Sequence, residues 1–216
     1  GRKKPALHIA FLLGALSLGC IPPLGSGYAS KSLLHEAILE YMHHLEGHGI
    51  SALPFRIVEI FFLISGGLTI AYMTKLYVCI FWEKHPYRQK EFDAMGHSMK
   101  KTSCAVLLIS ACILPILGLL PGPLFTPLAR QSVSFFGQEV LHHEIHYFSL
   151  ENLKGAAWSI LIGAVVYLFI VRKLLMKKEK GMLVYVNRWP AFLDLEEMVY
   201  RPLLLRFLPR FFGSIT

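Results

Sequence analysis

Apolar residues arrive in blocks along this chain. Residues 5–21, 104–120 and 155–171 are three runs of 17 residues without an Asp, Glu, Lys or Arg. A fourth block, 55–82, is 28 residues long and uncharged from Ile60 to Thr74. A helix needs about 17–25 mostly apolar residues to cross the hydrocarbon core. At 1.5 Å per residue the fourth block measures roughly 42 Å, against a core of ~30 Å. It reads as one long or tilted span, with Arg56 and Glu59 near one interface and Lys75 near the other. Ionisable groups so placed snorkel to water. The pattern predicts an all-α, polytopic transmembrane helix bundle.

Composition agrees. Of the 216 residues, 54% are hydrophobic and 17% charged, where a soluble domain averages roughly 45–50% and about 25%. A soluble enzyme, a disordered chain and a disulfide-built secreted scaffold are excluded. The chain opens on Gly1-Arg2-Lys3-Lys4 and enters an apolar run at once. Cys20-Ile21-Pro22-Pro23 stands where a cleaved leader would carry small residues. This reads as a C-terminal segment of a larger membrane protein.

Lysine and arginine counts give sidedness. Residues 1–4 hold three, 83–103 five and 172–188 six, whereas 40–54 hold none and 121–153 only Arg130. The rule predicts a cytoplasmic N-terminus, 83–103 loop and tail, with 40–54 and 121–153 external. The net charge of +8 is mostly this asymmetry, and no basic stripe with interleaved aromatics suggests nucleic acid. The assignment leaves residues 5–54 a single crossing, although they are long enough for two helices. At their centre lies Pro22-Pro23-Leu24-Gly25-Ser26-Gly27. Prolines remove helix hydrogen bonds and glycines permit non-helical angles. A discontinuous helix broken at Pro22, Pro23, Gly25 and Gly27 satisfies the charges; the alternative is an ordinary interfacial turn. The expectation is about four crossings, with a transmembrane bundle over 1–171 and a basic, amphipathic cytoplasmic tail over 172–216. In that tail, Pro202 and Pro209 argue against one straight helix, and Arg201, Arg206 and Arg210 punctuate an apolar stretch. Such a segment lies along a lipid interface, unless it is the approach to a further span.

Lys31 stands just beyond the break. On a helix Lys31 and His35 share a face, with Glu36 oblique to it. An ammonium near mid-membrane costs about 2.5–3.5 kcal/mol on insertion scales. Burial disfavours it and a neighbouring carboxylate favours it, so the group is poised to exchange a proton. The rival is a lysine snorkelling from an interfacial helix. His35 and Glu36 are candidate relay partners. Glu59 and Lys75 read as interfacial anchors, and His8 as a candidate for proton uptake.

The stretch Gly19-Cys20-Ile21-Pro22-Pro23-Leu24-Gly25-Ser26-Gly27-Tyr28-Ala29-Ser30-Lys31 resembles a signature of the antiporter-like membrane subunits. These serve respiratory complex I, multisubunit cation/proton antiporters and membrane-bound hydrogenases. Members read G-x-P-P-x-x-G-F-x-x-K there. The match takes in Gly19, Pro22 shifted by a residue, Pro23, Gly27 and Lys31, with Tyr28 for the usual Phe. It continues through Ile70–Tyr77, weakens after about residue 120, and returns loosely in Tyr185–Pro190 and Leu193–Glu196. The resemblance implies a bundle of about fourteen or more helices with two inverted repeats, each carrying a discontinuous helix with an ionisable residue. Lys31 falls on that residue of the second repeat, which hands protons between a hydrophilic axis and an exit half-channel.

The function expected is therefore the C-terminal segment of a proton-translocating subunit of a complex I-like NADH:quinone oxidoreductase or a membrane-bound hydrogenase. A Na+/proton antiporter subunit without redox coupling and a structural membrane subunit are the rivals. Expected partners are the other membrane subunits, the lipid bilayer, and protons or Na+. No cofactor is expected. Cys20, Cys79, Cys104 and Cys112 form no C-x-x-C, and neither G-x-G-x-x-G nor a P-loop occurs. Redox chemistry belongs to partner subunits. His43, His44 and His48, and His142, His143 and His146, tempt a zinc reading, but without cysteines they read better as interfacial helix faces.

Overall fold

The computed structural model describes residues 4–85, 87–94, 99–135, 145–179, 181–186, 188, 190, 192 and 194–213. They form an all-α, multi-pass membrane bundle. Its helices are α1 (Pro5–Leu18), α2 (Gly27–Gly47), α3 (Leu53–Phe81), α4 (Gln89–Ala94), α5 (Lys101–Leu119), α6 (Pro121–Phe135) and α7 (Leu150–Val165). α7 widens into π-helical turns over Val166–Leu174. Three of these stretches are long and apolar enough to cross a membrane: Leu53–Phe81, Lys101–Leu119 and Leu150–Leu174. α1 is a shorter apolar helix.

Local chemistry sets the helix starts. Pro5 and Pro54 lie in first turns, where a missing N–H costs nothing. Ser149 caps α7 by accepting from the Asn152 N–H at 3.2 Å. The spans are apolar all round, as helices of a membrane are.

α3 serves as a ruler for the first crossing. His8 meets Tyr77 and Phe81, Gly19 lies against Ile70, and Lys31 lies against Gly66 and Phe62. Further on, His35 reaches Glu59 and Tyr41 packs edge-on to Phe55. Advancing from residue 8 to 41 thus retreats along α3 from Phe81 to Phe55. A hairpin would instead lay α1 and α2 side by side at one level of α3. α1 and α2 form one crossing antiparallel to α3, interrupted between Leu18 and Gly27.

Close backbone packing holds the interruption. Cys20 adopts a left-handed φ of 52°, and the Gly25 N–H donates to the Ile21 carbonyl at 2.9 Å. The Pro22–Pro23 peptide is cis. A Cβ on Gly25 would lie 2.6 Å from the Leu16 carbonyl oxygen, and one on Gly27 2.5 Å from that of Ser17. Only glycine fits at either place. The Ser17 and Ser26 hydroxyls bond across the gap at 2.5 Å.

The remaining spans follow. α5 lies beside α1, and its Gly118 ends against Pro23 and Gly25 of the break, so α1 and α5 run parallel. Ser159, Gly163 and Tyr167 meet α3 at Leu63, Gly67 and Ala71 in turn, so α7 is parallel to α3. The starts of α1 and α5 therefore share one end of the bundle with the finishes of α3 and α7. The α2–α3 turn and the start of α7 share the other. This is the partition that the lysine and arginine counts require.

Two features of the tail differ from the sequence reading. β1 (Met176–Glu179) and β2 (Met182–Tyr185) pair antiparallel, Met176 facing Tyr185. Gly181 makes the turn at φ +79°, and Lys75 of α3 sets its ammonium 3.6 Å from the centre of the Tyr185 ring. Beyond the hairpin, helical turns run from Glu196 to the end of α8 (Leu208–Gly213). Pro202 and Pro209 do not interrupt them. The turns widen to π geometry over Glu196–Tyr200 and Leu203–Phe207, which relieves the clash of a proline ring with the carbonyl one α-turn back.

Candidate functional site

Lys31 lies one turn into α2, immediately past the break. Its Nζ donates to Ser159 Oγ at 2.8 Å. Ser159 is fully buried on α7 and donates its own hydroxyl proton to the Leu63 carbonyl at 3.2 Å. A serine has one proton to give, and with it committed to Leu63 the oxygen facing Lys31 is an acceptor. Gly66 leaves the room: a Cβ there would lie 2.5 Å from Nζ. The ammonium also sits 5.7 Å from the centre of the Phe62 ring, within cation–π range.

His35, the next residue on this face, is 5% exposed. Its Nδ1 lies 3.1 Å from Asn152 Oδ1 and its Nε2 3.3 Å from Glu59 Oε1. The Asn152 amide is oriented from behind, since its Nδ2 donates to the His146 carbonyl at 3.3 Å. The imidazole is parallel to Phe62, with 6.1 Å between ring centres. A Cβ on Gly155 would meet its Cε1 at 3.0 Å. A small void lined by Tyr28, Lys31, Ser32, His35, Phe62 and Asn152 separates Lys31 from His35.

Of the residues singled out from sequence, Lys31 and His35 do share one buried polar group. Glu36 is half-buried on the neighbouring flank of α2, and the carboxylate that meets His35 belongs to Glu59. Glu59 was expected to be an interfacial anchor; with its side chain only 26% exposed, it instead joins the group. Lys75 sets its ammonium against the Tyr185 ring of the β hairpin. His8 hydrogen-bonds Tyr77 and stacks on Phe81 at 4.8 Å, far along α3 from Lys31. Pro22, Pro23 and Gly25 lie in the interruption, and Gly27 is the first residue of α2. Ser159 and Asn152 were missed. A signal for Ser159 was present: Gly155, Ser159 and Gly163 recur every four residues, the small-residue stripe on which membrane helices pack closely.

The histidine clusters gather no metal site among the described residues. His48 Nδ1 faces the His44 carbonyl at 2.8 Å; His142 and His143 lie outside the described residues.

No family model matches the chain, and no solved structure does either. Among curated proteins, the chain is similar to NAD(P)H-quinone oxidoreductase subunit 5, chloroplastic, of Chlorokybus atmophyticus. The two are 29% identical over 163 residues, which is 74% of this chain and 23% of that protein. The chain thus spans about a quarter of the length of the relative it matches.

Proposed function

We propose that the chain is the C-terminal part of an antiporter-type, proton-translocating membrane subunit of a complex I-like quinone oxidoreductase, with Lys31 as its proton-carrying group. The observation that carries this reading is a lysine held inside the bundle directly after a broken crossing. Among the described residues no carboxylate pairs with Lys31, so a structural ion pair does not account for it. Its ammonium rests on a hydroxyl acceptor beside a histidine, where gaining and losing a proton breaks no ion pair. The likeness to a quinone oxidoreductase subunit supports redox coupling over a Na+/proton antiporter. Other membrane subunits would complete the proton path and carry the electron transfer.

The test is proton translocation by the intact complex in inverted vesicles energised with NADH or NADPH. Lys31→Ala should lower it at least tenfold at unchanged complex content. Lys31→Arg should not restore it fully, because a guanidinium does not readily release its proton. Unchanged translocation in Lys31→Ala would leave the subunit a structural one.

The same proposal makes the end of the bundle bearing residues 83–100 and the β hairpin cytoplasmic, with the tail along that face. The apolar side chains of Leu203, Leu204, Leu205, Phe207 and Phe211 are exposed beside Arg206 and Arg210, a composition suited to an anionic lipid surface. Cysteines at Lys100 and Leu205 should react with an impermeant thiol reagent only from the cytoplasmic side. One at His48 should react only from the other. Labelling of His48 and Lys100 from the same side would refute the arrangement.

A further inference from the structure

We infer that Glu59, paired with His35, is the group that takes the proton onward from Lys31; this rests on the reading of Lys31 as a proton carrier. The argument runs through hydrogen-bond polarity. Asn152 Nδ2 is spent on the His146 carbonyl, so its Oδ1 is the atom that faces His35 at 3.1 Å. An amide oxygen only accepts. His35 Nδ1 must therefore carry its hydrogen. In a neutral imidazole the other nitrogen, Nε2, is then a bare acceptor. It faces Glu59 Oε1 at 3.3 Å, and an ionised carboxylate is also only an acceptor. Two acceptors do not hold that approach. The contact exists when one proton lies between them, either as imidazolium facing carboxylate or as imidazole facing carboxylic acid. His35 and Glu59 thus form a site that closes when it holds one proton and loosens when it is empty.

The pair is placed to be filled from Lys31. Lys31 and His35 line the same void between α2, α3 and α7, whose free space matches about one water molecule. Its walls include the Ser32 and Tyr28 side chains as well as the two titratable groups. In the transfer, an N–H bond of the Lys31 ammonium breaks and its electron pair stays on Nζ. The proton passes to the water, and the water gives a proton to His35, the member of the pair that lines the void, where an N–H bond forms at the bare Nε2. The charge lost by lysine appears on the pair, and no oxidant or reductant is involved. Position sets the direction. Lys31 lies against Phe62 and Gly66 of α3, whereas Glu59 lies nearer its Leu53 end, the end away from the β hairpin. Asn152 is a positioning residue, fixing which imidazole nitrogen faces the carboxylate.

Glu59→Gln in the intact complex tests this. Glutamine keeps the length of the side chain, and its amide donates a hydrogen bond to Nε2, so the contact survives while the titratable oxygen is gone. Proton translocation should fall at least tenfold at unchanged complex content. Wild-type translocation in Glu59→Gln, alongside a loss in Lys31→Ala, overturns this inference and leaves the function of Lys31 standing. Wild-type translocation in both overturns the function as well. Should Glu59→Gln fail to accumulate, Glu59→Asp decides. Aspartate keeps the carboxyl but draws it back from Nε2, so reduced translocation by an assembled Glu59→Asp complex supports the relay. Wild-type translocation by that variant, or failure of it too to accumulate, makes Glu59 a structural residue and overturns the proposal.

Discussion

Gly163→Val should prevent the protein from accumulating in the membrane. A Cβ at Gly163 would lie 2.8 Å from Ile70 Cβ and 2.9 Å from the Gly67 carbonyl oxygen. Neither atom is the end of a flexible side chain. The reverse contact is equally tight, since a Cβ on Gly67 would meet Ile162 at 2.6 Å. α3 and α7 therefore touch backbone to backbone, and valine can enter only by pushing them apart. Overpacking a well-packed core costs about 1–3 kcal/mol and occasionally more. Here the helices cannot relax locally, which puts the cost at the upper end. A cost of ~3 kcal/mol is on the order of a hundredfold in the folded ratio, a large share of a marginal stability. The measurement is the level of the protein in isolated membranes. Gly14→Val is the control, because a Cβ at Gly14 meets nothing within 4 Å. Equal levels in the two variants would mean that the α3–α7 contact does not hold the bundle.

The same contact explains what the sequence made legible and what it hid. Spans are visible because a bilayer demands continuous apolar length, and residues 104–120 and 155–171 advertise theirs directly. The broken crossing is visible because two signals of different origin agree there. Lysine and arginine counts allow residues 5–54 one passage, and Pro22, Pro23, Gly25 and Gly27 supply the interruption. Lys31 stands out because an ammonium among apolar residues is costly wherever it sits.

Partners are another matter. Ser159 lies 128 positions from Lys31 and Asn152 117 from His35, and no local rule connects them. Their pairing follows from α7 running parallel to α3 in close register, which the glycine and serine stripe on α7 decides. Glu59 misled for a related reason. A single carboxylate near the start of a span reads as an interfacial anchor until the neighbouring helix is known to present a histidine at that depth. Glu36, adjacent to His35 in sequence, was the natural guess for its partner. Consecutive helical residues lie about 100° apart around the axis, so Glu36 faces elsewhere. The β hairpin was hidden by its surroundings. Met176–Glu179 reads as part of a basic cytoplasmic run, and charge drew attention away from the Gly181 turn and the Met-Leu-Val-Tyr strand beyond it.

On the proposed function, Gly66→Ala should lower proton translocation to the same extent as Lys31→Ala while leaving the complex assembled. This follows from which atoms an added methyl would meet. A Cβ at Gly66 would lie 2.5 Å from Lys31 Nζ and 3.0 Å from Ser159 Oγ. Ordinary van der Waals separation requires the ammonium to retreat by about 1 Å. Lysine has the rotatable bonds to do so, and the backbones of α2, α3 and α7 need not move. Stability should not suffer, because alanine is favoured over glycine within a helix by about 0.8–1.0 kcal/mol, and Gly66 is interior to α3. What is lost is position. Nζ leaves the Ser159 oxygen and the edge of the void it shares with His35, and a proton donor displaced by an ångström no longer meets its acceptor at hydrogen-bonding distance. The change is thus the inverse of Gly163→Val, on the same stretch of the α3–α7 interface. One variant removes the protein and keeps the chemistry of whatever remains; the other keeps the protein and removes the chemistry. Translocation per assembled complex separates them. A Gly66→Ala complex that pumps at the wild-type rate would mean that proton transfer does not depend on where Lys31 Nζ is held.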